Sequence, residues 1–215
     1  GNYGGIPFCV DLNGDGRVDI LWLQSPGLFH SKVFDERLKG RFSQDEKDHF
    51  CLTATDADGK VFWQIGRPWS GQRPFVTHSA ERAVDWADID GDGSLEIVFV
   101  RRDEVLVVDA TTGLVEQRTT AQADNAQIVV LARTGRKPEQ WTILVKNAES
   151  SYPPYSYGNP AWYYDTKLRL LKTAEYLGAG HTPQARDIDD DGVDEFLIGF
   201  NLVGHDLETR WTYQP

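Results

Sequence analysis

Three stretches of the chain hold acidic side chains at one spacing: Asp11-Leu12-Asn13-Gly14-Asp15-Gly16-Arg17-Val18-Asp19, Asp88-Ile89-Asp90-Gly91-Asp92-Gly93-Ser94-Leu95-Glu96 and Asp187-Ile188-Asp189-Asp190-Asp191-Gly192-Val193-Asp194-Glu195. Oxygens at positions 1, 3, 5 and 9, with a glycine at position 6 for a sharp turn, make a cage for a hard cation, Ca²⁺ first. The expected side-chain ligands are Asp11, Asn13, Asp15 and Asp19, then Asp88, Asp90, Asp92 and Glu96, then Asp187, Asp189, Asp191 and Glu195. Backbone carbonyls of Arg17, Ser94 and Val193 at position 7 complete each set. Three structural Ca²⁺ sites follow. An acidic surface hairpin without metal is the alternative for any one loop, and three near-identical copies weigh against it.

What flanks the loops sets their context. A helix-loop-helix calcium site closes with Glu at position 12 and runs on into a helix. Here the acid stands at position 9, and Ile20-Leu21-Trp22-Leu23, Ile97-Val98-Phe99-Val100 and Phe196-Leu197-Ile198-Gly199 follow, short runs of β-formers. Each loop therefore joins two strands. Further turn-then-strand segments occur at Asp56-Ala57-Asp58-Gly59-Lys60, Asp109-Ala110-Thr111-Thr112-Gly113, Tyr164-Asp165-Thr166-Lys167 and near Asp206-Leu207-Glu208. Four such hairpins imply four units, although only three metal loops exist. The loops begin 77 and 99 residues apart, and the longer interval holds a unit whose cage is replaced by Thr134-Gly135-Arg136-Lys137 between two apolar runs.

Repeated four-stranded antiparallel units of this length predict an all-β fold, a β-propeller of about four blades, near 5–66, 83–118, 126–173 and 182–213, in one domain. The loops and repeats resemble FG-GAP and integrin-type calcium-binding propeller repeats. That resemblance implies rings of seven or eight blades, so the four units would form part of a ring and pair with further blades or with another chain. Strand order then sorts the connections. Metal loops and Asp-Gly-type turns share one end, and the remaining connections share the other, where all five histidines are expected.

Composition narrows the setting. The chain has 215 residues, 40% hydrophobic and 12% aromatic, enough for a sizeable core. The formal net charge is -11, and three bound Ca²⁺ would bring it to -5. No basic stripe or stacking motif suggests nucleic acid, and no apolar run is long enough to span a membrane. The chain starts at Gly1 without Met, as a processed or excised piece would. Low-charge calcium loops suit the millimolar Ca²⁺ outside cells, which points to a secreted or periplasmic protein. Cys9 and Cys51 would lie on non-neighbouring strands, so two buried free thiols are expected rather than a disulfide.

The expected metal-free end gathers Arg67, Trp69, Arg73, Tyr152 and His205 as sugar-binding residues, and His181, His78, Tyr155, Tyr157 and Arg82 as catalytic ones. Guanidinium groups take carboxylate or sulfate through paired hydrogen bonds, and aromatic faces carry sugar rings. Each residue taken singly also reads as a solvated loop side chain. Gly178-Ala179-Gly180-His181-Thr182-Pro183 before the third loop, with Gly204-His205-Asp206 and Arg210-Trp211, is similar to the blades of rhamnogalacturonan and ulvan lyases. That resemblance implies β-elimination beside a uronic acid. Arg82 or Arg67 would neutralise the carboxylate, and His181, His78, Tyr155 or Tyr157 would move protons. A non-catalytic, lectin-like glycan-binding module or a protein-interaction propeller uses the same surface without a proton-transfer pair.

Overall fold

The computed structural model describes residues 5–24, 43–68, 82–122, 126–147, 160–176, 178–179 and 182–214. Among the described residues sixteen strands form four antiparallel sheets of four, each paired in sequence order. Blade 1 holds β1 (Gly5–Val10), β2 (Asp19–Gln24), β3 (Cys51–Thr55) and β4 (Val61–Ile65), with a short helix α1 (Gln44–Asp48) before β3. Blade 2 holds β5 (Val84–Ala87), β6 (Glu96–Arg101), β7 (Glu104–Asp109) and β8 (Val115–Thr120). Blade 3 holds β9 (Ile128–Arg133), β10 (Trp141–Lys146), β11 (Pro160–Asp165) and β12 (Leu170–Glu175). Blade 4 holds β13 (Gln184–Arg186), β14 (Glu195–Ile198), β15 (Asn201–Val203) and β16 (Thr209–Thr212). The architecture is all-β, four blades of a propeller-like fold. Among the described residues no helix is long and apolar enough to cross a membrane.

Sequence explains which strands lie where. The middle strands of blade 2, Glu-Ile-Val-Phe-Val-Arg and Glu-Val-Leu-Val-Val-Asp, are buried along almost their whole length because both faces of the sheet meet a neighbour. Each fully buried Val, Leu, Ile or Phe contributes about 1.5 to 3 kcal/mol. The fourth strands β8 and β12 alternate between exposed and half-buried, as an outer rim requires. All four blades carry a register shift at the same place, between the third and fourth strands beside their turn: Ala54/Thr55, Val107/Val108, Tyr163/Tyr164 and Leu202/Val203. Blade 3 shares this bulge although it lacks a metal loop, which marks it as a true repeat.

Consecutive blades share cores. One cluster runs through blades 1, 2 and 3, with Leu21, Phe99, Val107 and Ile143 among its buried members, and a second joins blades 3 and 4 through Leu144, Tyr163, Phe196 and Val203. Neither cluster joins blade 4 to blade 1.

Two expectations change. Cys51 is buried and free as anticipated, but Cys9 is exposed, because the face of blade 1 that it shares has no neighbouring blade over it. His205 does not lie at the metal-free end. β14 and β15 are linked by a tight turn at Gly199 and Phe200, so residues 201–203 are strand and His205 falls in the β15–β16 turn, at the same end as the metal loops.

Candidate metal loops and the inter-blade cavity

The acidic loops join first to second strands, and backbone N–H groups hold all three in the same way. The position 6 amide donates to the position 1 carboxylate: Gly16 to Asp11 (2.8 Å), Gly93 to Asp88 (3.0 Å) and Gly192 to Asp187 (2.9 Å). The position 2 amide donates to the position 9 carboxylate: Leu12 to Asp19 (3.1 Å), Ile89 to Glu96 (2.9 Å) and Ile188 to Glu195 (3.0 Å). The position 7 amide donates to the position 5 carboxylate: Arg17 to Asp15 (2.8 Å), Ser94 to Asp92 (2.7 Å) and Val193 to Asp191 (2.9 Å). Position 6 has φ of 82°, 94° and 90°, the left-handed region that glycine enters without strain.

Two of the loops gather three carboxylates that could hold a metal ion. Oxygens of Asp88, Asp90 and Glu96, and of Asp187, Asp189 and Glu195, lie within 4.8 Å of one another. Glu96 and Glu195 are buried at positions 9 of their loops. Burial first, then the charges of Asp90, Asp92 and Glu116, push the Glu96 carboxyl up to about 7. A donor set made of oxygen alone, carrying excess negative charge at a partly buried point, fits a hard cation. Loop 1 has an amide, Asn13, in place of the position 3 carboxylate, and its oxygen accepts the Asp15 N–H (2.9 Å) as Asp90 accepts that of Asp92 (3.1 Å).

The metal-free connection of blade 3 sits between loops 2 and 3. Pro138 lies so close to Gly91 that a Cβ there would come within 2.9 Å of it. On the other side Arg136 donates to the Asp191 carbonyl (2.9 Å), while Arg133 N–H donates to the Asp194 carboxylate (2.7 Å).

At the opposite end the chemistry is buried and long-range. The β6–β7 turn, Arg101 to Glu104, looks solvated in sequence but is almost fully buried. Arg101 pairs with Glu104 (2.7 Å) and with Asp48 of α1 (3.3 Å), and Lys47 pairs with Asp103 (2.9 Å). Arg102 adopts φ 59° and stacks over the Phe50 ring at 4.5 Å.

Toward this end a cavity of about 400 Å³ opens where first strands converge, lined by Phe8 of β1, Arg82, Asp85 and Trp86 around β5, and Thr182 and Gln184 around β13. Phe8 and Trp86 meet edge to face at 5.8 Å. Arg82 pairs with Asp85 (3.2 Å), whose carboxylate also accepts the Leu131 N–H from blade 3 (2.9 Å). Burial raises the Asp85 pKa. Of the expected sugar-site residues, Arg82 lines this cavity, whereas Arg67 is exposed and paired with Asp45 of α1. His78, His181, Trp69, Arg73, Tyr152, Tyr155 and Tyr157 lie outside the described residues. Sequence reasoning missed Phe8, Asp85 and Trp86. The available signal was Asp85 and Trp86 inside a predicted first strand, where a charge and a large ring need a reason.

No protein-family model matches the chain, and no curated protein matches it in sequence. Solved structures do share its fold. Rhamnogalacturonan lyase YesW aligns with a TM-score of 0.65 at 15% identity, covering 96% of this chain and 41% of that one. The rhamnogalacturonan lyase of Bacillus licheniformis gives 0.65 at 17%, with 96% and 41% covered. The biofilm matrix protein Bap1 of V. cholerae gives 0.55 at 20%, with 98% and 30% covered. The chain thus spans about two fifths of the lyases' length, and the likeness is one of fold.

Proposed function

We propose that the chain is a calcium-stabilised propeller that acts on acidic polysaccharide by β-elimination beside a uronic acid. The cavity carries this reading: an arginine beside two aromatic rings suits a carboxylated sugar, and the similarly folded solved structures include rhamnogalacturonan lyases. Arg82 would offset the uronate charge so that its C5 proton becomes acidic. A base then takes that proton, the C5–H electrons form the C4=C5 double bond, the C4–O bond breaks, and an acid protonates the departing oxygen. His181, His78, Tyr155 and Tyr157 are the proposed proton carriers, with Trp69, Arg73, Tyr152 and Arg67 as sugar contacts. His205 drops out, since its turn belongs to the other end. Asp85 would hold Arg82 in position.

Ca²⁺ would occupy all three acidic loops and offset carboxylate repulsion in turns remote from this chemistry. The setting that fits such a protein is outside the cytoplasm.

A non-catalytic glycan-binding role is the second reading, supported by the likeness to a biofilm matrix protein. Incubation with uronate-bearing polysaccharides while following ultraviolet absorbance of the unsaturated product separates the two. The expected result is a steady rise that Arg82→Gln abolishes. Binding without any rise would establish the second reading, and neither binding nor cleavage would overturn both.

A further inference from the structure

Blades 2 and 3 meet through a short parallel pairing that a carboxylate finishes. Arg82 and Ile128 form a parallel bridge, in which the Arg82 N–H donates to the Gln127 carbonyl (3.3 Å) and the Val129 N–H donates to the Arg82 carbonyl (2.8 Å). Two residues further along, an unbroken parallel ladder would send the Leu131 N–H to the Val84 carbonyl. It donates instead to Asp85 Oδ2 (2.9 Å). A side-chain oxygen thus stands where a backbone oxygen would, at the edge of the cavity.

The same oxygen also accepts from Arg82 Nη2 (3.2 Å), and Asp85 Oδ1 accepts the Trp86 N–H (3.2 Å). Backbone amides from two blades therefore hold the Asp85 carboxyl in place. Its partner is more open: the Asp85 side chain is 16% exposed and that of Arg82 41%. A guanidinium carries five N–H donors. Asp85 takes one of them, which leaves a pair for a second carboxylate in the cavity. Burial raises the Asp85 pKa, against the opposing pull of the Leu131 amide and Arg82.

We propose that a carboxylated sugar bound to Arg82 drives a proton onto Asp85, so that the cavity takes up uronate and proton together. This rests on the cavity being a glycan site. An incoming carboxylate meets a guanidinium whose charge Asp85 already offsets. Two carboxylates on one cation leave an excess negative charge at a partly buried point, and the anchored Asp85 cannot swing away from it. One proton removes the excess and leaves the whole Arg82 charge to the sugar. A neutral Asp85 still has an oxygen that accepts the Leu131 N–H. Among the described residues the other cavity walls, Phe8, Val84, Trp86, Thr182, Pro183 and Gln184, carry no titratable side chain, and Arg82 is the charged group that faces Asp85.

Linkage is reciprocal: a sugar that favours protonated Asp85 is favoured by the proton to the same degree. The Asp85 pKa is higher in the complex than in the free chain. Affinity is therefore full at pH below the free-chain value and is lost as pH rises to the value in the complex. A neutral sugar of the same shape has no such dependence, so the pair selects acidic sugars most strongly on the acid side.

Calorimetric titration of the whole chain with trigalacturonate in Ca²⁺, in two buffers of different ionisation enthalpy, counts the protons taken up. The expected result is net uptake at pH 6 and affinity at least about 3-fold weaker at pH 8 than at pH 5. The trisaccharide with its carboxyls reduced to alcohols should exchange none. Asp85→Asn, whose amide oxygen can still accept the Leu131 N–H, should bind trigalacturonate at least about 3-fold tighter than the native chain at pH 8, with no proton uptake. A residue that only joined the strands would weaken binding when replaced. Binding without proton uptake, or uptake that persists in Asp85→Asn, would overturn this inference and leave the glycan site standing. No binding at any pH would overturn both. If Asp85→Asn misfolds, the carboxyl ¹³C signal of Asp85 in the native chain decides: its titration should move to higher pH when trigalacturonate is added, and an unmoved midpoint would overturn the inference.

Discussion

The two ends of the blades solve the problem of carrying charge in opposite ways. At the metal-loop end, carboxylates stand close together within nine-residue hairpins, held by their own backbone amides, and two of the three loops concentrate negative charge beyond what those amides offset. At the other end, Arg101, Asp103 and Glu104 are buried: Arg101 and Asp103 pair with Asp48 and Lys47, more than fifty positions away in sequence, and Glu104 pairs with Arg101 and Arg118. The first arrangement could be completed by a metal ion from solution. The second is completed by the fold itself. Stability at one end should therefore follow solution conditions, and at the other the integrity of the inter-blade contacts.

Chelation should show the contrast at its largest. Each cation site held at one hundred times its dissociation constant adds about 2.7 kcal/mol, so emptying the two three-carboxylate loops should cost more than about 5 kcal/mol. Excess EDTA should lower the melting temperature by about 10 °C or more in a chain of this size. An unchanged melting curve would remove the metal from the account. Arg101→Ala comes next, at about 3 kcal/mol, because it leaves Glu104 buried with only the half-exposed Arg118 to pair it. Urea unfolding with and without Ca²⁺ should give the same loss for this variant, since the two ends share no partners. A Ca²⁺-dependent loss would mean that they communicate.

The pH dependence sharpens the same comparison on a smaller scale. In the folded, metal-free chain the Glu96 carboxyl is raised to about 7, so the protonated form is favoured by folding. Its contribution is fully present below the usual carboxylate range and is lost as pH rises through about 7. In EDTA the chain should therefore be more stable at pH 5 than at pH 8, by on the order of 2 kcal/mol. Glu96→Gln should flatten that slope, and Ca²⁺ should reverse it, because the ion favours the ionised carboxylate. Gly93→Ala should have the least effect, about 1 to 2 kcal/mol. It forces an L-residue to φ 94° with no steric neighbour nearby, so only backbone strain opposes it.

The same contrast explains what could be read from sequence. Four sheets, their hairpins and the unit that lacks a cage were legible, because each depends on local spacing: oxygens at fixed offsets, then a short β-forming run. The cavity and the buried charges were not. Arg101-Arg102-Asp103-Glu104 has the composition of a solvated turn, and only the arrival of α1 and Phe50 buries it. His205 was placed at the wrong end because a two-residue turn at Gly199 and Phe200 gives no polar run to mark it. Cys9 was expected to be a buried free thiol because its strand does not neighbour that of Cys51, and among the described residues no blade covers its face of blade 1.

The central claim is that the acidic loops are scaffold and the cavity end binds the glycan. It is tested most directly by the affinity of a uronate-bearing oligosaccharide for two variants in saturating Ca²⁺. The account predicts binding at least 10-fold weaker for Arg82→Gln with an unchanged melting temperature, and unchanged affinity for Glu96→Gln with a lower one. Full affinity in Arg82→Gln together with lost affinity in Glu96→Gln would contradict it.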